Sequence, residues 1–102
     1  MELKQTLNYM CSEDYKKRFI AEYWQTKIRY EKLKHFNNII EAACRTQGME
    51  RSIVEPIHDC PQHLLREQQE VMGQYLHILE VRAVIEGIDL EDIYDKCEGV
   101  EK

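Results

Sequence analysis

The chain has 102 residues, 43% of them apolar and 32% charged, with only four glycines and two prolines; this length holds one domain, and this balance belongs to soluble helices, not to collagen-like, disordered or barrel sequences. Fourteen Lys and Arg against nineteen Asp and Glu leave a net charge of −5, which argues against a protein that grips duplex DNA through its overall field. No run approaches the roughly 18 to 20 apolar residues of a membrane span, and the opening MELKQTLNYMCSEDYKKR lacks a signal-peptide core, so a cytosolic location is expected.

Leu3, Leu7 and Met10, spaced four and three apart, predict a short amphipathic helix over 2–11. Ser12 offers an N-cap oxygen with Glu13 and Asp14 in the first turn, and nothing interrupts helical periodicity before Gly48, so a long helix is predicted over 12–46. Its inward stripe reads Phe19, Tyr23, Thr26, Tyr30, Leu33, Asn37, Ile40 and Cys44, broadened by Ile20, Trp24, Phe36, Ile39 and Ala43. Gly48 and Pro56 mark 47–60 as a connecting loop. Pro61 suits the first position of a second long helix over 61–87, with Asp59 or Cys60 near its cap. The inward row of that helix is read as Leu64, Gln68, Val71, Tyr75, Ile78, Arg82 and Ile85, with Leu65, Met72, Leu76, Leu79 and Ala83 on the adjoining stripe. Asp89 can cap a last short helix over 89–97 with Leu90, Ile93, Tyr94 and Cys97 on its apolar side. The expected architecture is all-α: one domain over 1–102, an antiparallel helical hairpin of two long helices with short terminal helices. Its apolar stripes are too broad for a lone hairpin to cover, so it should oligomerise into a helical bundle, a homodimer or larger.

Charge is unevenly spread along the chain. Lys16, Lys17, Arg18, Lys27, Arg29, Lys32 and Lys34 outnumber Glu22 and Glu31 over 15–35, a local charge of +5 against −10 elsewhere. Tyr15, Phe19, Tyr23, Trp24 and Tyr30 are interleaved with those cations. Such a stretch suits two readings: a solvated helix face whose rings are core, or a surface offering cations to phosphates and rings to a base. Gln68, Tyr75 and Arg82 stand in the row read as inward, where polar groups require partners; Arg82 could pair with Glu22 or Glu41, or the row could line a pocket for an anionic ligand. Gly73 in mid-helix would let another helix or a ligand approach closely.

His58, Cys60 and His63 do not match a zinc-finger spacing, and HDCPQH lacks the second cysteine pair and the glutamate of a zinc deaminase. No nucleophilic triad and no Gly-rich phosphate loop is recognisable, so neither an enzyme nor a metal or other cofactor is expected. Cys11, Cys44, Cys60 and Cys97 are expected as free thiols.

The segments AEYWQTKIRYEKL at 21–33 and CPQHLLREQQEVMGQYLHILEVRAVIEGIDL at 60–90 resemble a family of small helical-hairpin proteins encoded by tailed phages and prophages, through the face patterns EYxQxKIRY and LLxxQxxxMxxYLxxLExRA. Some phage hairpin oligomers of similar architecture are sponges that bind the nucleotide second messengers of the Thoeris and CBASS defence systems. The resemblance implies a phage accessory protein acting in the cytoplasm of the infected bacterial host. Its ligand would be an ADP-ribose-type signal made by TIR enzymes, or second a cyclic dinucleotide, held without cleavage and with no role for DNA or membrane. Combined with the basic aromatic stretch, it marks Arg18, Glu22, Tyr23, Lys27, Arg29, Tyr30, Gln68, Tyr75 and Arg82 as candidate ligand-binding positions. The alternative is a structural or protein-interaction bundle with no small-molecule ligand.

Overall fold

The computed structural model describes residues 1–47 and 59–94; most of the connecting loop, with His58, and the end of the last short helix, with Cys97, lie outside the described residues. All regular structure within them is helical. A 3-10 turn over Leu3–Thr6 runs into α1 (Leu7–Met10), and two long helices follow, α2 (Tyr15–Gln47) and α3 (Gln62–Glu86). None of these helices is long and apolar enough to cross a membrane.

Two helix starts differ from the sequence reading, each for a local reason. The first long helix begins at Tyr15 because Asp14, not Ser12, is its cap: the Asp14 carboxylate accepts the Lys16 N–H at 2.9 Å, while Ser12 accepts the Asp14 N–H at 3.0 Å in the turn before it. Pro61 is the N-cap of α3, not its first helical residue, because its ψ of 141° is extended; its carbonyl accepts the N–H groups of Leu64 and Leu65. At the other end of α3, Gly87 has φ 69°, its N–H reaches the Val84 carbonyl, and the Ile88 N–H reaches the Ala83 carbonyl at 2.8 Å. That pairing is a Schellman motif, and it folds the buried Ile88 back over the buried Ala83.

Contacts between the long helices run in opposite order along the two: Asn37 meets Leu65, Tyr75 meets Glu22, Tyr23 meets Glu80 and Tyr15 meets Glu86. The helices are therefore antiparallel neighbours. Phe19, Ile20, Ala21 and Tyr23 of α2 and Leu76, Leu79 and Ala83 of α3 form the core with Tyr9, Ile88 and Ile93; each fully buried leucine there stabilises by about 1.5 to 3 kcal/mol. The segment before α2 and the described residues after α3 close this same end of the hairpin. The Tyr9 hydroxyl donates to Asp92 at 2.7 Å, the Gln25 amide donates to Thr6, and the Trp24 indole donates to the Leu90 carbonyl at 2.7 Å.

The row read as inward on the second long helix is corrected by the structure. Leu65, Leu76, Leu79 and Ala83 are buried, whereas Leu64, Gln68, Val71, Tyr75, Ile78, Arg82 and Ile85 are exposed. Both rows are periodic, but α2 covers only one face, and it covers the row whose partners on α2 are Phe19, Tyr23 and Asn37. Gly73 does permit a close approach: a β-carbon there would lie 3.3 Å from the Tyr30 ring of the facing helix. Near the far end, the buried Asn37 amide donates to the Leu65 carbonyl and to Gln69, and its oxygen accepts from Gln62. Every buried side-chain polar atom among the described residues has a partner.

Candidate functional site

The first turns of α2 and the last turns of α3 face each other, and they gather four of the nine candidate positions. Tyr15, Arg18, Phe19 and Glu22 follow one another at three, one and three residues, one face of a helix. Tyr75, Leu79 and Arg82 present the matching face of α3. Together with Met10 these seven line a pocket of about 300 Å3.

Its polar groups form three separate sets of contacts. The Arg82 guanidinium lies 4.9 Å from the centre of the Phe19 ring, donates to the Tyr15 hydroxyl at 2.6 Å and pairs with Glu86 at 3.2 Å. Tyr15 in turn donates to Glu86 at 3.1 Å. Tyr75 donates to Glu22 at 3.0 Å, and burial followed by that carboxylate raises its phenol above the ordinary range against an opposing pull from Arg82. Arg18 donates to the Ser12 carbonyl at 2.9 Å. Arg82 thus pairs within its own helix and with a tyrosine, not with Glu22 or Glu41. The result is two guanidiniums, two phenol hydroxyl groups, the Glu22 carboxylate and a phenyl ring around one opening. Such a set can clamp phosphate oxygens and a flat ring together.

The other five positions lie elsewhere. Tyr23 is buried and donates to Glu80 at 2.7 Å, and burial together with Glu80 raises its phenol well above the usual value. Its ring belongs to the core, as does the inner edge of Trp24, which stands edge-on to both Tyr23 and Tyr94. Lys27 pairs with Glu31 at 3.3 Å, Arg29 is exposed, and Gln68 is exposed and bonds only weakly to the Met72 sulfur at 3.7 Å. Tyr30 lines a larger open groove of about 710 Å3 with Arg66, Gln69, Gly73 and His77. Two polar groups in that groove are engaged in holding the hairpin: Arg66 pairs with Glu41 and Gln69 with Asn37. Glu41 also takes Arg45 at 2.8 Å, and hydrogen bonds from the two arginines hold its carboxyl below the usual range. The smaller pocket brings two guanidiniums together with the rings of Tyr15, Phe19 and Tyr75, whereas the larger groove holds one guanidinium.

Sequence reading passed over Tyr15 and Phe19 as site residues, although their spacing to Arg18 and Glu22 puts all four on one face. Among the described residues no three His, Cys, Asp or Glu side chains converge as metal ligands, and Cys11 and Cys44 are free cysteines.

The family model described as Sequestin matches residues 13–85, a span that includes both long helices almost entirely and all nine candidate positions. The chain belongs to the Sequestin family, a family named for sequestration. No curated protein and no solved structure matches it.

Proposed function

We propose that this member of the Sequestin family is a phage anti-defence sponge: it binds a nucleotide second messenger and holds it away from its effector without cleaving it. The ligand of first choice is a TIR-derived ADP-ribose-type signal of Thoeris, with a cyclic dinucleotide of CBASS second. The place of action is the cytoplasm of the infected bacterial host, and the working form is a homodimer or larger. The observation that carries this reading is the convergence of Arg18 and Arg82 with Tyr15, Phe19 and Tyr75 around one pocket in a chain that belongs to a family of sequestering proteins. Guanidiniums recognise phosphate bidentately, and an arginine already lying on a phenyl ring keeps its charge while offering a flat surface to a base. Sequestration needs only affinity, so no group with a catalytic pKa is required.

Calorimetry of the full chain against ADP-ribose-type signals and cyclic dinucleotides tests the proposal. One class should bind, and Arg82→Ala should weaken it tenfold to a hundredfold, the loss of a charge-assisted contact of about 1.5 to 3 kcal/mol. Lys27→Ala, whose charge is paired with Glu31 outside the pocket, should change affinity less. Heating the complex should return the nucleotide intact. No heat with either class from a folded protein, or recovery of a degraded nucleotide, would defeat the reading.

A further inference from the structure

The outer side of α3 carries a second periodic row that the hairpin leaves open. Leu64, Val71, Ile78 and Ile85 recur every seventh residue and are 47%, 55%, 54% and 77% exposed. Gln68, Tyr75 and Arg82 each follow one of them by four residues and are exposed too. Alternating steps of four and three average 3.5 residues, the repeat of a left-handed coiled-coil seam. Scattered surface aliphatics need no explanation, but four in register along about 33 Å of helix form one continuous patch.

We infer that a second copy of this chain lays its own α3 antiparallel on this row, and that the pairing closes the Arg82 pocket. Charge selects both the occupant and its direction. In a parallel pair each Arg82 would face the Arg82 of the other copy inside the seam, a like-charge contact that opposes association. Reversing one helix about a two-fold axis between Tyr75 and Ile78 sets each Arg82 against Val71 of the second copy, near its Glu67 and Glu70. Tyr75 then faces Ile78, and Gln68 faces Ile85. Every polar or bulky member of the row meets an aliphatic one, so the surface is complementary to itself, as a two-fold interface must be. A helix face of this length and width buries on the order of 600 Å2 on each copy, so the pair reaches the roughly 1,200 Å2 at which specific interfaces begin.

Continuity links this seam to the site. Tyr75 and Arg82 belong both to the row and to the pocket lining, so the second helix lies along the pocket rim. At about 300 Å3 the pocket of one copy stands at the lower bound of cavities that enclose a small molecule, and a wall from the second copy would deepen it. The shared-site half of the inference rests on the proposed ligand reading; the seam itself does not.

Sedimentation equilibrium of the full chain without nucleotide tests the seam. Wild type should be a dimer or a multiple of one at micromolar concentration, and Val71→Arg, which sets a like charge against Arg82 of the second copy, and Ile85→Asp, both at positions exposed on the hairpin, should weaken association at least tenfold with helical circular dichroism unchanged. A wild-type monomer would overturn the seam. Direction is read in a background with the four native cysteines changed to serine. Oxidation should link Gln68→Cys to Ile85→Cys in a mixture but neither variant to itself; self-linking of either would mean parallel pairing and would overturn the antiparallel seam. Nucleotide calorimetry on Val71→Arg separates the two halves. At least tenfold weaker binding supports a shared site, and unchanged affinity in the monomeric variant overturns it. A wild-type dimer that binds no nucleotide ends the ligand reading and the shared site together, and leaves the seam in place.

Discussion

Tyr23 and Tyr75 look alike in the sequence, each a tyrosine in a row read as facing inward, yet their surroundings divide their roles. Tyr23 is buried and fixed to Glu80, so it joins the two long helices; Tyr75 is half-open, bonds to Glu22 and lines the pocket. Burial comes first and the neighbouring carboxylate second in raising both phenols above their ordinary value. A raised pKa means that the folded chain keeps a proton that the unfolded chain releases. The stability it contributes is complete below pH about 10 and declines as the pH rises beyond that value. Thermal melts from neutral to strongly alkaline pH should therefore stay level and then fall, and Tyr23→Phe should make the alkaline fall shallower. An equal slope in the variant would assign the loss to other groups. The basic aromatic character of the first half of α2 was legible in the sequence because it depends only on residue type. Which rings stay open was not, because that depends on Glu80, Leu90 and Tyr94 arriving from parts of the chain far removed in sequence.

Along a single helix, periodicity reports that an apolar face exists without saying what covers it. On α2 the stripe from Phe19 through Ile40 reads inward, and Phe19, Tyr23, Thr26, Asn37 and Ile40 are indeed buried. α3 has two periodic rows, and the one with the cleaner heptad spacing is the exposed one, so pattern alone selects the wrong face. The burial of Leu79 against the exposure of Val71 turns this into a measurement. Leu79→Ala should cost about 2 to 5 kcal/mol in denaturant unfolding through the cavity it leaves. Val71→Ala, measured in the Ile85→Asp monomer, should cost less than about 0.5 kcal/mol, as a surface change does. Comparable losses at both sites would contradict this packing. Helix ends were legible to within a few residues, and the shift from Ser12 to Asp14 at the start of α2 came from two successive side-chain caps competing for adjacent N–H groups.

For the molecule as a whole, composition sufficed for the all-helical structure of the described residues, and the order of contacts along α2 and α3 gives their antiparallel arrangement. What the sequence held in ambiguous form is the division between a fold surface and an association surface, since both are written in the same apolar residues. A ledger of one hairpin leaves Leu64, Val71, Ile78, Val81, Val84 and Ile85 facing outward. If a second copy covers them, unfolding is coupled to dissociation and the melting temperature should climb with protein concentration. Scanning calorimetry over a hundredfold dilution should show that climb for wild type and a flat response for Val71→Arg; a flat response in both would count against association.

Trp24 is the chain's single tryptophan, and its indole N–H is held by the Leu90 carbonyl while its ring stands 5.0 Å from that of Tyr94. Both neighbours come from the segment after α3. The protein thus carries its own optical reporter at the junction between helix and tail: ultraviolet emission from this fluorophore registers whether the segment after Gly87 is docked, while far-ultraviolet dichroism follows the two long helices. Recorded together during one thermal ramp, the two signals time the release of the tail against the melting of the hairpin without any added label.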